Sequence, residues 1–132
     1  MRLLLDTHVA IWAITAPERI PDDHHRLLRD AFPNIFVSAV AVWEIAIKHP
    51  LGRPDAPSLS GHDAIAEFEA AGFKFLDVTA AHAAFVERLP LLHGDPFDRL
   101  MLAQAMVENL QLVTFDRQLI RYGAPVLTWG QT

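Results

Sequence analysis

The feature that most restricts the fold of this chain is an alternation of short apolar runs with helical segments. Residues 2–5, 35–37, 73–78 and 112–115 are brief and almost unbroken apolar runs, and helix-start chemistry follows each of them. Runs this short and this apolar suit strands covered on both faces. Strands that alternate with helices predict a parallel sheet with helices on either side, a three-layer α/β/α architecture. In such sheets ligands bind beyond the carboxyl ends of the strands.

Between the runs, helices are expected over 8–14, 24–32, 39–48, 61–71, 80–89, 96–109 and 117–122, with a last edge strand at 126–127. Local chemistry supports each boundary. Asp6 and Thr7 can cap the first helix, Asp22 and Asp23 the second, Ser38 the third and Thr79 the fifth. Gly72 and Gly123 suit helix ends, and Pro50 forbids helix at His49. Residues 51–60, with Pro54 and Pro57, form the longest expected loop, a candidate lid or docking surface.

At 132 residues the chain can bury one core, and a single domain over 1–132 is expected. No apolar run approaches a bilayer span, and the first one meets Asp6 too early for a signal-peptide core. A cytoplasmic protein with no membrane partner is therefore expected. The absence of cysteine removes disulfides and thiolate metal sites. The net charge of −5 argues against holding a polyanion by charge alone, unless a cation or a local cluster of Arg and Lys intervenes.

The densest chemistry lies in His93-Gly94-Asp95-Pro96-Phe97-Asp98-Arg99. Asp95 is placed as an N-cap, Pro96 suits the first helical position, and Asp98 lies in the first turn. Two readings fit: a stabilised helix start, or a carboxylate presented at the mouth of a site. Asp6 directly follows the first strand, Asp116 the fourth, and Glu44 lies in the helix after the second. Taken singly, Asp6 and Asp116 read as caps and Glu44 as a solvated helix residue. Yet Glu44 is flanked by Val42, Trp43, Ile45, Ala46 and Ile47, where an acid is costly to bury without a counter-charge.

Together these four acids can converge over the carboxyl edge of the sheet. Clustered carboxylates raise one another's pKa, and keeping several ionised calls for a cation. Oxygen donors without Cys favour Mg2+, with Mn2+ as an alternative. Such an ion can activate water and neutralise charge on a phosphoryl group. His93, beside the turn, reads as a structural or outer residue, and no HExxH spacing is present. There is no phosphate-binding GxxxxGK[ST], no GxGxxG and no Gly-x-Ser-x-Gly. A phospho-aspartate mechanism often uses Asp-x-Asp, but here the residue two places after Asp6 is His8.

The same residues carry a family resemblance. Leu5-Asp6-Thr7-His8 with Trp12, Ser38 with Val42-Trp43-Glu44-Ile45-Ala46-Ile47-Lys48, the 93–105 stretch ending Ala103-Gln104-Ala105, Leu112-Val113-Thr114-Phe115-Asp116, and Tyr122-Gly123 with Trp129 together resemble the PIN-domain ribonucleases, specifically the VapC-type toxins. The resemblance implies a magnesium-dependent RNA endonuclease, a homodimer, and inhibition by a small antitoxin. It implies that Asp6, Glu44, Asp98 and Asp116 are the catalytic and metal-binding acids. Asp6, Asp98 and Asp116 would hold the metal, and Glu44 a water or second ion. Asp95, Arg99, Thr114 and Thr7 are implied as outer or substrate contacts, with Arg99 open between a salt bridge and a phosphate contact. Two positions depart from the family pattern: Ala41 replaces a frequent serine, and prolines break the stretch after Lys48. A catalytically weak module that works mainly by binding a protein partner is the alternative. Trp12, Trp43, Phe32 and Leu51 are candidates for a groove that takes an antitoxin helix.

Overall fold

The computed structural model describes residues 1–123 and 125–127. Trp129, part of the resemblance above, lies outside them. Five parallel strands form one sheet: β1 (Leu3–Leu5), β2 (Ile35–Ser38), β3 (Lys74–Leu76), β4 (Gln111–Val113) and β5 (Val126–Leu127). Their spatial order is β3-β2-β1-β4-β5. Parallel neighbours demand crossovers, and right-handed ones place the helices on both faces. Helices α1 (Thr7–Thr15), α2 (Asp22–Ala31), α3 (Ala39–Lys48) and α4 (Gly61–Ala70) belong to the crossovers running one way from β1. Helices α5 (Ala80–Phe85), α6 (Pro96–Glu108) and α7 (Arg117–Ile120) belong to those running the other way. This is the three-layer α/β/α arrangement expected.

Strand β1 is central because its sequence leaves no polar face. Leu3, Leu4 and Leu5 are all fully buried, and each such side chain contributes about 2 kcal/mol of burial free energy. Leu4 pairs with Phe36 on one side and Leu112 on the other. Direction reverses at β1: crossovers leave to β2 on one side and return to β4 on the other. The gap at the carboxyl ends of β1 and β4 is therefore the natural crevice.

Several boundaries differ from the sequence reading, each with a local cause. Helix α2 begins at Asp22, with Pro21 in the cap position, so Asp22 and Asp23 sit in the first turn rather than capping it. There they face the positive end of the helix dipole. Strand β3 is three residues long instead of six because it is a sheet edge; the Phe73 N–H goes to the Phe68 carbonyl of the preceding turn. Helix α5 ends at Phe85 and tightens into a 3-10 turn over Val86–Arg88, where the Val86 carbonyl accepts from both Leu89 N and Arg99 Nη2. After Lys48 the chain continues through a 3-10 turn, His49–Leu51, that stops at Gly52 with φ +63°. The expected helix termini at 71, 109 and 122 fall one or two residues early, at Ala70, Glu108 and Ile120.

A buried polar chain ties α5 and α6 to β2. Ser38 Oγ donates to Gln104 Oε1 at 2.5 Å, and Gln104 Nε2 reaches the Asp77 carbonyl and His82 Nδ1. His82 Nδ1 accepts from Thr79 N at 3.0 Å while Nε2 bonds Glu108 at 2.8 Å, which fixes the Nε2–H tautomer.

Candidate active site

Each acid is set by a cap or a helix turn at the carboxyl edge. Asp6 ends β1 and caps α1: its Oδ1 accepts from Val9 N at 2.9 Å, and its Oδ2 accepts from the Thr114 hydroxyl. Thr114 follows β4, and its Oγ1 also accepts from Asp116 N at 3.0 Å. One hydroxyl thus joins the ends of the two central strands. Asp116 caps α7 through Gln118 N at 2.9 Å. Asp95 caps α6, with Oδ1 accepting from Phe97 N and Asp98 N. That leaves Asp98, one turn in, free to point over the helix N-terminus.

Glu44 is buried despite its charge, only 4% exposed. Its position in the second turn of α3 aims it inward, and two partners hold it: Thr7 Oγ1 at 2.6 Å and Lys48 Nζ at 2.5 Å. Lys48 is the counter-charge that composition had made necessary. Burial works against its ammonium, but the bond to Glu44 and the charges of Glu44, Asp95 and Asp98 outweigh it and hold Lys48 above its ordinary value.

Burial and charge link the acids electrostatically. Burial pushes Asp6 up to about 6, against the pull of Thr114 and Val9, and the charges of Glu44 and Asp116 add to the rise. Burial pushes Asp98 up to about 7, with further increments from Asp95, Asp6 and Glu44 and partial relief from His93. Asp6 thus interacts with each of the other three acids, while the tight grouping of ligand atoms among the described residues takes in Asp98 and Asp116 with His93 and leaves Asp6 and Glu44 outside it. Two cations enter the arrangement: Lys48 on the Glu44 side and, when protonated, His93 on the other. His93 Nε2 lies 2.9 Å from Asp98 Oδ2 and 2.9 Å from Asp116 Oδ2.

His93 is the residue whose part sequence reasoning underrated. The sequence placed it next to the turn but could not show its ring reaching between two acids. What aims it is a hub at Tyr122. The Tyr122 hydroxyl donates to the Pro90 carbonyl at 2.8 Å and accepts from Leu92 N and His93 N. Arg99 completes the hub, with Nη1 reaching Tyr122, Pro90 and His93, and Nη2 reaching Val86. Among the described residues Arg99 forms no salt bridge. It clamps the carbonyls of the loop before α6.

A divalent ion suits this donor set. Ligand atoms of His93, Asp98 and Asp116 all lie within 4.8 Å of one another. Asp6, with burial and neighbouring acids both raising its pKa, is stabilised by any cation brought near it. The apolar groove candidates separate. Trp43 is 57% exposed, edge-on to Phe97, and Ile47 and Leu51 follow it as exposed residues at helical spacing. Trp12 is half-buried between Phe115 and the Arg19 guanidinium, and Phe32 is exposed elsewhere, over Gly72.

Comparison with known proteins adds an independent line. The PIN domain family matches residues 3–125. Ribonuclease VapC22 of Mycobacterium tuberculosis (strain ATCC 25618 / H37Rv) is 33% identical over 132 residues, covering 96% of this chain and 98% of that protein. Among solved structures, VapBC2 from Rickettsia felis, bound to a DNA fragment from its promoter, superposes with a TM-score of 0.71 at 18% identity, covering 98% of this chain and 99% of the other. DNA-bound VapBC from Salmonella typhimurium gives 0.69 at 19% identity, with 98% of each chain covered. At such identities the structures speak to the fold, and the sequence matches to kinship. The chain belongs to the PIN domain family, among its VapC-type members.

Proposed function

We propose that this protein is a metal-dependent endoribonuclease, the toxin of a toxin–antitoxin pair, acting as a single domain over 1–132 in the cytoplasm. The observation that carries this is the set of Asp6, Glu44, Asp98 and Asp116 at the carboxyl edge of the sheet, where burial first and neighbouring acids second raise Asp6 to about 6 and Asp98 to about 7. Mg2+ or Mn2+ would be held by Asp6, Asp98 and Asp116, with Glu44 at a water or second ion.

When bound, the ion supplies Lewis acidity: it lowers the pKa of water and neutralises charge on the phosphoryl group. The chain supplies the orientation. Thr114 and Val9 fix the two oxygens of Asp6 in separate directions, and Thr7 and Lys48 do the same for Glu44. A carboxylate held by two partners cannot swing away, and this is the preorganisation that in-line attack on a phosphodiester needs. Hydrolysis would leave a 5′-phosphate and a 3′-hydroxyl.

Support for a protein partner comes from the stripe of Trp43, Ile47 and Leu51, whose spacing suits an amphipathic helix laid along α3. VapBC relatives are toxin–antitoxin complexes, and we extend that pairing, with a homodimer, to this chain. Among the described residues no helix is long and apolar enough to cross a membrane.

The test is cleavage of single-stranded RNA in Mg2+ or Mn2+ by the parent, Asp6→Asn and Asp116→Asn. Each substitution should slow cleavage by roughly 100-fold or more, since each removes a ligand charge. Parent-like cleavage by Asp6→Asn would refute the assignment. A folded parent that binds antitoxin but cuts nothing would favour the binding-module reading.

A further inference from the structure

We infer that His93 is itself a ligand of the metal, through Nε2, and that this nitrogen biases the site toward Mn2+ over Mg2+. The inference rests on the metal centre proposed above and adds a residue to it. Nε2 lies 2.9 Å from Asp98 Oδ2 and 2.9 Å from Asp116 Oδ2. Neighbouring donors around an octahedral ion with bonds of about 2.1 Å stand about 3 Å apart, so Nε2 already has the spacing of a shared shell to each carboxylate, and all three ligand atoms lie within 4.8 Å of one another. They come from three places in the chain: the loop before α6, the first turn of α6, and the cap of α7.

The ring is not there by chance of a mobile loop. The backbone N–H of His93 donates to Tyr122, and the His93 carbonyl accepts from Arg99 at 3.5 Å. The same hydroxyl and guanidinium hold Pro90 and Leu92. Four anchors along 90–93 fix the direction in which the imidazole leaves the chain. Tyr122 and Arg99 are thus positioning residues for the ligand, which gives a use to the Arg99 guanidinium, whose hydrogen bonds among the described residues go to carbonyls and to Tyr122.

Without an ion, Nε2 lies within hydrogen-bond reach of both carboxylates. As a ligand, Nε2 would offer its lone pair to the ion and the ring proton would stand on Nδ1. An all-oxygen set suits Mg2+, whereas an imidazole favours first-row transition ions. Replacing one oxygen donor by nitrogen is therefore a selectivity device, placed where the other donors are carboxylates.

Pulsed EPR of Mn2+ bound to the metal-free protein reads this directly, without RNA and without turnover. The parent should show coupling of Mn2+ to a nitrogen nucleus, and ring-15N-histidine labelling should change that coupling to the 15N pattern. His93→Gln, which keeps hydrogen-bonding groups on a side chain of similar reach, should lose the coupling. Its Mn2+ affinity should fall about 10- to 100-fold while its Mg2+ affinity changes less. Mn2+ bound by the parent with no histidine nitrogen coupling would overturn the role of His93 and leave the acidic centre standing. Coupling that survives in His93→Gln would do the same. A parent that binds neither ion would overturn both the ligand and the metal centre. Should His93→Gln fail to fold, His93→Asn is read for the same loss of coupling, and a labelled parent without histidine coupling overturns the role of His93 by itself.

Discussion

Removing the charge of Asp6 should stabilise the metal-free protein while it destroys the proposed activity. The Asp6 carboxyl is held at about 6 against an ordinary 3.8, a gap of about 2 units, or about 3 kcal/mol at about 1.4 kcal/mol per unit. The pKa is raised on folding. The associated stability is therefore fully present below 3.8 and is lost as pH rises through about 6. At pH 8 the full cost is in force. Asn keeps the shape and an Oδ1 that can accept from Val9 N, and the Thr114 hydroxyl can turn to accept from the new amide. Weakening those charge-assisted bonds costs about 1 kcal/mol. The net gain for Asp6→Asn at pH 8 is about 2 kcal/mol, or roughly 7 °C in Tm for a chain of this size. By about pH 4.5 only about a third of the charge cost remains, and the gain should vanish. Scanning calorimetry of parent and variant in EDTA at the two pH values measures this. Adding Mn2+ should then raise the parent above its EDTA value and move the variant much less. A variant that melts at or below the parent at pH 8 in EDTA would refute the account of Asp6 as a buried, destabilising charge.

Other expectations follow from the same contacts. Lys48→Met leaves the buried Glu44 carboxylate without its cation and should cost about 2 kcal/mol in urea unfolding; adding Glu44→Gln to it should recover most of the loss. Tyr122→Phe removes the acceptor of Leu92 N and His93 N, so exchange of those two amides should quicken, with about 1 kcal/mol lost overall. Trp43→Ser, on an exposed face, should leave Tm within about 2 °C yet weaken binding of the cognate antitoxin roughly 30-fold by calorimetric titration. Parent-like antitoxin affinity in that variant would place the partner elsewhere.

What could be read from residue order alone was whatever depends on local pattern. The parallel sheet, the order of helices and strands, and the final strand at Val126–Leu127 all follow from apolar runs and cap chemistry. Asp95 and Ser38 cap their helices as their positions suggest. The burial of Glu44 was foreshadowed by its apolar neighbours, but its partners Thr7 and Lys48 were not identified from them. Long-range geometry was the part that escaped. Nothing near Arg99 in the chain reveals that its guanidinium meets Val86, Pro90 and Tyr122, and nothing near His93 reveals that its ring spans Asp98 and Asp116. Asp22 and Asp23 misled because acids in a first turn and acids in a cap have the same sequence signature, and Pro21 decided between them. The family resemblance named the four acids; the structure adds the partners that hold each one.

The Thr114–Asp6 bond joins residues 108 positions apart, and it has a consequence for how the protein is made. A nascent chain leaving the ribosome carries Asp6 and Glu44 long before Thr114 and Asp116 have been synthesised. Until β4 slides in beside β1, no two halves of the proposed centre can meet. A chain built this way cannot assemble the proposed centre until nearly all of it has been synthesised.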